Sequence, residues 1–201
     1  MLYELAHTIQ SRLPFLWDIL EGINSGLFSL RYGRKLKKAA SVLQGYSERF
    51  QIREAVISDV PNLVTFFVEQ PEEAYTFFKP HAFDAKTIKK LIIRKSYLFF
   101  IVLDGEKIVG YYFLRCFFMG KSYLGKMVDV KCRGKGIGKI MCLSAMDVAT
   151  TLGIHMFETI SKDNLASLYS TQKVLDISII EEMPNNYLYI EDLPKGKGSL
   201  S

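Results

Sequence analysis

Cysteine is scarce. Cys116, Cys132 and Cys142 form no CxxC pair and are odd in number, which argues against a disulfide framework and a structural zinc site. Such usage suits a reducing cytoplasm. No apolar run approaches the ~18–20 residues that span a bilayer. The longest run near the start, residues 13–17, is stopped by Asp18. Acidic Glu4 and the lack of a small-residue cleavage site leave the N-terminus without the form of a signal peptide. No block of five like charges occurs, so the net charge of +5 is spread among apolar residues. That distribution suits an anionic partner but argues against a nucleic-acid interface. There is no internal repeat. Low complexity is confined to the tail PKGKGSLS from Pro194, which is expected to fray.

What is present is an ordinary globular balance: 201 residues, 49 % hydrophobic and 23 % charged. One domain plus an extension fits that length. Residues 1–49 read as a helical extension. Leu2, Leu5, Ile9, Leu13 and Leu16 recur at three- and four-residue spacing. Pro14 is expected to kink or restart the helix, and Gly22, Gly26 and Gly33 to punctuate the chain after it. An aromatic-apolar stretch with Phe15, Trp17 and Phe28 precedes the basic run Arg31, Arg34, Lys35, Lys37 and Lys38. Two readings stand: the stripe packs on the main domain with the basic residues solvated, or the extension makes peripheral contact with a membrane, on its inner face for a cytoplasmic protein.

The main domain spans residues 50–192, with a flexible tail at 193–201. A strand from Phe50 leads to a helix capped at Ser58-Asp59, with Pro61 in its first turn. After the loop PEEAYTFFKPHAF, Asp84 opens a second helix. Three strands come next, at 97–103, 108–118 and 122–130, the first two joined through Asp104-Gly105 as a hairpin. A helix ending at Gly153 leads to a strand at 154–160. Asp163 or Asn164 caps another helix, and two strands at 177–182 and 187–190 flank Pro184-Asn185-Asn186. The order β-α-α-β-β-β-α-β-α-β-β makes an α/β chain with a mixed sheet.

The chemistry is carried by MVDVKCRGKGIGKIM, residues 127–141. A strand enters a turn holding Gly134, Gly136 and Gly138, and a helix leaves it. Glycine permits positive φ and close approach of a ligand. The turn amides and the helix N-terminus then converge on one concavity, supplemented by Arg133, Lys135 and Lys139, which suits a diphosphate. A P-loop is excluded twice: Ile140 stands after Gly138-Lys139, and Arg133 stands at the first glycine position. A dinucleotide fingerprint lacks its third glycine, which would be residue 139, a lysine. Glu158 does stand roughly where the ribose-binding acid would, but repeated βαβ units are missing.

Arg133-Gly134-Lys135-Gly136-Ile137-Gly138, between this strand and this helix, resembles the pyrophosphate loop of the GCN5-related N-acetyltransferase (GNAT) family, whose signature is Arg/Gln-x-x-Gly-x-Gly/Ala. The element order from Phe50 to about Asp192 resembles that family as well. The resemblance implies a mixed, splayed β-sheet flanked by helices, and acetyl-CoA as co-substrate without a metal. It implies a pyrophosphate on the amides of Arg133, Gly134, Lys135, Gly136, Ile137, Gly138 and Lys139. The pantetheine arm would run along residues 127–130, including Val128, Asp129 and Val130, with an amide near Val128 or Asp129 holding the thioester carbonyl. Asn164 matches the family's pantetheine-touching asparagine and also reads as a plain N-cap.

The family's acid tyrosine falls on Thr171 here, a departure. Tyr169, two residues earlier, stands about 200° around the helix and is kept as the candidate acid. Candidate bases are Asp129, Glu158 and His81, the last in an aromatic, basic loop with Phe78, Lys79 and Phe83. The implied activity is N-acetyl (or short acyl) transfer to the amine of a small acceptor, with an amino sugar suited to the basic charge and the possible surface helix. Two other readings are an acyl-CoA-binding module without catalysis and a membrane-surface adaptor working through residues 1–49.

Overall fold

The structure, a computed structural model, describes residues 14–43 and 45–196. The stripe positions Leu2, Leu5, Ile9 and Leu13 and the tail beyond residue 196 lie outside the described residues. Helix α1 (Pro14–Ala39) leads to β1 (Phe50–Glu54), α2 (Val60–Val68), α3 (Ala85–Ile93), β2 (Tyr97–Asp104), β3 (Lys107–Phe117) and β4 (Lys121–Val128). Then come α4 (Ile137–Leu152), β5 (His155–Ser161), α5 (Leu165–Val174), β6 (Leu175–Met183) and β7 (Tyr187–Pro194). Strand β7 thus runs past the expected tail boundary at 193, and its extension carries Asp192 into the sheet.

The seven strands form one sheet in the order β1-β2-β3-β4-β5-β7-β6. Every neighbouring pair is antiparallel except β4 with β5. That parallel pair is short: Lys121, Ser122 and Tyr123 face His155, Met156 and Phe157, and pairing then stops while both strands continue. The sheet is therefore splayed at its middle, as the resemblance implied.

Alternation along the strands gives the sheet two apolar faces. One packs against α1, α4 and the chain before β1, with Phe100, Tyr112, Leu114, Met141 and Leu152 buried. The other packs against α2, α3 and the loop 71–84, with Leu63, Phe67, Ile88, Tyr111 and Phe113. Gly110 decides where α4 sits. A Cβ there would meet the Met141 methyl and press on the Met127 carbonyl and Ile137, so glycine lets the first turns of α4 lie this close to β3 without displacing those groups. The Gly-rich turn before α4 is fixed by the same contact.

Helix α1 begins where a restart at Pro14 was expected, but corrects the expectation that the glycines punctuate the chain. Pro14 stands at its first position, where the missing N–H costs nothing. The helix then runs unbroken through Gly22, Gly26 and Gly33. Tertiary anchors override the weak glycine propensity. Phe28 and Tyr32 are buried against the sheet. Asn24 donates to the Cys116 carbonyl at 2.9 Å and accepts from Phe118 N at 3.1 Å. Lys35 donates to the Leu152 carbonyl at 2.9 Å. Buried Glu21 pairs with Arg115 and Arg94. The packed face is therefore Phe28, Tyr32, Leu36 and Ala39. Of the expected stripe only Leu16 lies among the described residues, and it is exposed, as are Leu20, Ile23, Leu27 and Leu30 further along the helix.

Candidate active site

Strand β4 delivers the chain to a one-turn 3₁₀ segment, Val130–Cys132, and then to the Gly-rich turn. Gly134 (φ 77) and Gly136 (φ 83) both take left-handed backbone, and a Cβ built on either meets nothing within 4 Å. The concavity is open where a diphosphate would lie. Gly136 also N-caps α4. Its carbonyl receives the amides of Lys139 and Ile140 at 3.0 and 3.2 Å. The amides of Ile137 and Gly138 precede the first helical bond and point out of the helix end. Gly138 does a different job: its Cβ would stand 3.2 Å from the Ser170 Cβ, so it sets the approach of α4 to α5. Arg133, Lys131 and Lys135 surround the turn. Lys139 lies with its ammonium 5.5 Å from the Tyr169 ring.

The gap between β4 and β5 opens immediately beyond Tyr123 and Phe157. Asp129 N donates to the Val109 carbonyl at 2.9 Å, so that amide belongs to the sheet. Strand alternation turns the amides of Lys126 and Val128 the other way, toward the gap. Of the two carbonyl-holding amides expected from the sequence, Asp129 is spent on β3 and Val128 has the right direction. Val130 N donates to Gln70 Oε1 at 3.1 Å, which ties the strand end to α2 and spends that amide too.

On the α5 side of the gap lies a buried polar cluster. Lys126 Nζ donates to both oxygens of Glu158 at 2.6 Å and to Thr171 Oγ1 at 3.1 Å. The Lys126 side chain is 8 % exposed and that of Glu158 4 %. Burial opposes the charge on Lys126, yet the Cys142 thiol, Glu158 and Asp192 around it carry its pKa upward. Cys142 is itself pushed up to about 11 by burial, so it is a neutral thiol at pH 7 and Glu158 is the partner that holds the ammonium. Asp192 lies beside them with neither carboxylate oxygen hydrogen-bonded among the described residues. Burial, then the charge of Glu158, pushes its carboxyl up to about 8. One cation and one anion remain, a balance that low dielectric requires.

That balance has a pH signature. The folded Asp192 holds a proton that an unfolded aspartate loses near pH 4. Between about pH 4 and 8 the native state binds the extra proton, so stability falls as pH rises, by up to about 1.4 kcal/mol per unit. Denaturant unfolding of Asp192→Asn across pH 5–8 should give a flatter profile and a higher midpoint at pH 8 than the parent. A parallel pair of profiles would contradict the assignment.

The opposite side of the gap is aromatic. Tyr123, Phe157 and Tyr189 stack along it, with the two tyrosine hydroxyls 3.3 Å apart. Nearby, Tyr75, Phe77, Phe78 and Tyr187, with Glu72 and Lys79, line a cleft of about 310 Å³. A Cβ at Gly125 would run into the Phe113 ring, so glycine there lets that ring lie over β4.

The four catalytic candidates read from the sequence separate in space. Asp129 caps the 3₁₀ turn, accepts from Lys131 N at 2.9 Å and pairs with Lys107 at 3.1 Å. Burial raises its pKa, but the Lys131 amide and Lys107 outweigh that and hold it low, which suits an anchor rather than a base. His81 lies among the rings of Phe67, Phe83, Phe99 and Tyr111. Its Nδ1 is 2.8 Å from the Ala82 carbonyl, so Nδ1 carries the proton, and Nε2 accepts from the Tyr111 hydroxyl at 3.3 Å. Burial lowers its pKa. The lone pair a base needs is turned onto the sheet.

Tyr169 is 61 % exposed, on the outer side of α5 beside Lys139 and away from the gap. The side chain of α5 that enters the gap is Thr171, fully buried. Glu158 is at the gap but locked to Lys126. Asn164 caps α5, its Oδ1 accepting from Ser167 N at 3.2 Å. Sequence reasoning missed Lys126, Asp192, Tyr123 and Tyr189. The one available signal was Lys126 three residues before the Gly-rich segment's Asp129, in a strand otherwise turning apolar residues to that face. Among the described residues no His, Cys, Asp and Glu group has the makings of a metal site.

Comparison with known proteins agrees with this fold. Solved structures with the same fold include the PaiA N-acetyltransferase of Thermoplasma acidophilum in complex with coenzyme A. It is 16 % identical over 71 % of this chain and 97 % of its own, with a TM-score of 0.58. The GNAT domain of S. lividans PAT is 13 % identical over 71 % and 89 %, TM-score 0.61. The yncA protein of Salmonella typhimurium, solved with acetyl-CoA, is 16 % identical over 72 % and 92 %, TM-score 0.56. No curated protein matches the sequence. At these identities the structures speak for the fold alone. The model of the acetyltransferase (GNAT) family, however, matches residues 63–173, more than half of the sequence, and the chain belongs to that family.

Proposed function

We propose that the protein transfers an acetyl group from acetyl-CoA to the amine of a small acceptor, with an amino sugar as the acceptor class. The observation that carries the reading is the gap itself. It lies between an amide edge on β4, an open Gly134–Gly136 cradle at one end and a buried ammonium at its wall. The cradle amides and surrounding cations would hold the diphosphate, and Val128 N would donate to the acyl oxygen as charge gathers there. The bound thioester supplies the activated acyl group. The amine nitrogen bonds to the acyl carbon, the C–S bond breaks, sulfur leaves with the electron pair, and the proton the nitrogen sheds on becoming an amide passes through water to the thiolate. Lys126, kept cationic by Glu158, places a fixed positive charge in the gap where Thr171 stands in place of the family's tyrosine. It stabilises the departing thiolate.

No imidazole or carboxylate lone pair among the described sequence candidates faces the aromatic side. Glu72, in the cleft beside the gap, holds the acceptor's ammonium, and the amine gives its proton to water before attack. The expected consequence is a kcat/KM that climbs with pH toward the acceptor's own amine pKa, without a limb near the ordinary histidine value. An ascending limb near pH 6.5 would restore a histidine base.

The acceptor class is read from the cleft beside the gap. Flat faces of Tyr75, Phe77, Phe78 and Tyr187 suit the apolar face of a sugar ring, and Glu72 suits its ammonium. A basic protein is a poor match for a polyamine. The test is thiol release from acetyl-CoA across a panel of free and nucleotide-linked amino sugars, polyamines and peptides. Release with amino sugars is expected. Release only with polyamines or peptides would overturn the acceptor class. CoA binding without release by any acceptor would leave a binding module instead of an enzyme.

A further inference from the structure

Beyond the gap, α1 carries a face that none of the described residues covers. We propose that this outer face docks on an anionic membrane surface, independently of what the gap catalyses. Phe15, Leu16, Ile19, Leu20, Ile23, Leu27 and Leu30 are all exposed, Leu30 by 85 %. On a 3.6-residue helix they share one arc, opposite the arc of Phe28, Tyr32 and Ala39 that packs on the sheet. Two further apolar residues flank it. Met119, 75 % exposed, stands at the β3–β4 turn that Arg31 and Asn24 bind. Ile93, 61 % exposed, lines the groove beside Gly22 and Gly26. A patch of this kind on a water-soluble surface marks an interface.

Charge names the occupant. In the last turns of α1 the same arc becomes cationic, with exposed Arg34, Lys37 and Lys38 and Arg31 at its border. Lys90 and Lys95 line the groove on the other side. The two carboxylates of α1 face elsewhere: Asp18 pairs with Lys90, and Glu21 is buried against Arg94 and Arg115. A second copy of the chain fits poorly. Leu16, Leu20, Ile23, Leu27 and Leu30 keep a four-three spacing, but the next two positions in that seam are Arg34 and Lys37. Parallel pairing would set those cations against their own copies, and antiparallel pairing would set them against leucines. A lipid surface offers both chemistries in order, acyl chains for the first half of the helix and phosphates for the second. The helix meets the sheet at Cys116, Phe118 and Leu152, the end away from the Gly-rich turn, so docking leaves that turn open.

The test is co-sedimentation of the full chain with vesicles of phosphatidylcholine, alone or mixed with phosphatidylglycerol. Binding to the mixed vesicles only, weakened by salt, is expected. Ile23→Glu/Leu30→Glu should stay in the supernatant with an unchanged melting temperature, because both residues are exposed. Arg34→Gln/Lys37→Gln should lower the partition coefficient on the order of 25-fold. Failure to bind either vesicle, or equal binding to both, would overturn the proposal. So would sedimentation of the parent as a dimer that Ile23→Glu/Leu30→Glu dissolves, since a second copy would then cover the face.

Discussion

Lys126→Met is expected to cut turnover on the order of 100- to 1000-fold while the affinity for acetyl-CoA changes little. The ammonium is aimed at charge that develops only as the thioester breaks, and groups of that kind raise kcat rather than ground-state binding. Lys126 does not line the Gly134–Gly136 cradle, which holds the diphosphate end. The substitution also strands Glu158, whose two oxygens both lie 2.6 Å from the ammonium. Breaking a buried pair in this way costs about 3–5 kcal/mol. The double variant Lys126→Met/Glu158→Gln removes both charges and should recover most of the stability and none of the turnover. Single-turnover rates and denaturant unfolding of the parent and both variants separate the two effects. Full turnover in the stable double variant would show that the ammonium takes no part in the chemistry.

Gly136→Val is expected to weaken acetyl-CoA binding on the order of 100-fold, with a smaller effect on stability. Gly136 holds φ at 83°, where a β-branched residue is strained by roughly 1–3 kcal/mol. Nothing packs within 4 Å of the new Cβ, so the chain can relieve that strain by turning the loop instead of unfolding. Turning it swings the Ile137 and Gly138 amides away from the diphosphate and puts an isopropyl group where the ligand would sit. Gly138→Val probes a different contact. Its Cβ would press on Ser170, so α4 would be pushed from α5 and the melting temperature should fall along with affinity. Calorimetric titration beside thermal unfolding distinguishes the two outcomes.

The parts of this site that are legible in the sequence are those written in local spacing. Glycines between a strand and a helix specify a turn with outward amides whatever the rest of the chain does, and the structure has that turn at 133–136, with the third glycine, Gly138, in the first turn of α4. Asn164 and Gly153 likewise announce helix ends, because capping is local. The order of elements along the chain was legible from local patterns, and a splayed sheet came with the resemblance.

What sequence could not provide is which long-range partner each polar residue finds. Lys126 and Glu158 are 32 positions apart and meet only because β4 and β5 are neighbours. Whether Asp129 was base or cap depended on Lys107, which a hairpin brings to it. His81 looked like a pocket histidine until Tyr111 took its Nε2 lone pair. Which face of α1 packs was not legible for another reason. Spacing shows that a helix has an apolar arc but not which arc faces inward. In α1, two arcs are apolar in part, and Phe28 and Tyr32 outcompete the leucines because their rings fill the floor of the sheet.

The most direct test of the account is titration of the full chain with acetyl-CoA, read by calorimetry and by the shift in unfolding midpoint, with NADH and ATP alongside. A ligand that binds only the native state must raise the midpoint. The predicted result is one molecule of acetyl-CoA bound per chain, a raised midpoint, little response to NADH or ATP, and loss of both effects in Gly136→Val. An unmoved midpoint and no heat with acetyl-CoA, or an equal response in Gly136→Val, would contradict the placing of the co-substrate between β4, β5 and the Gly-rich turn.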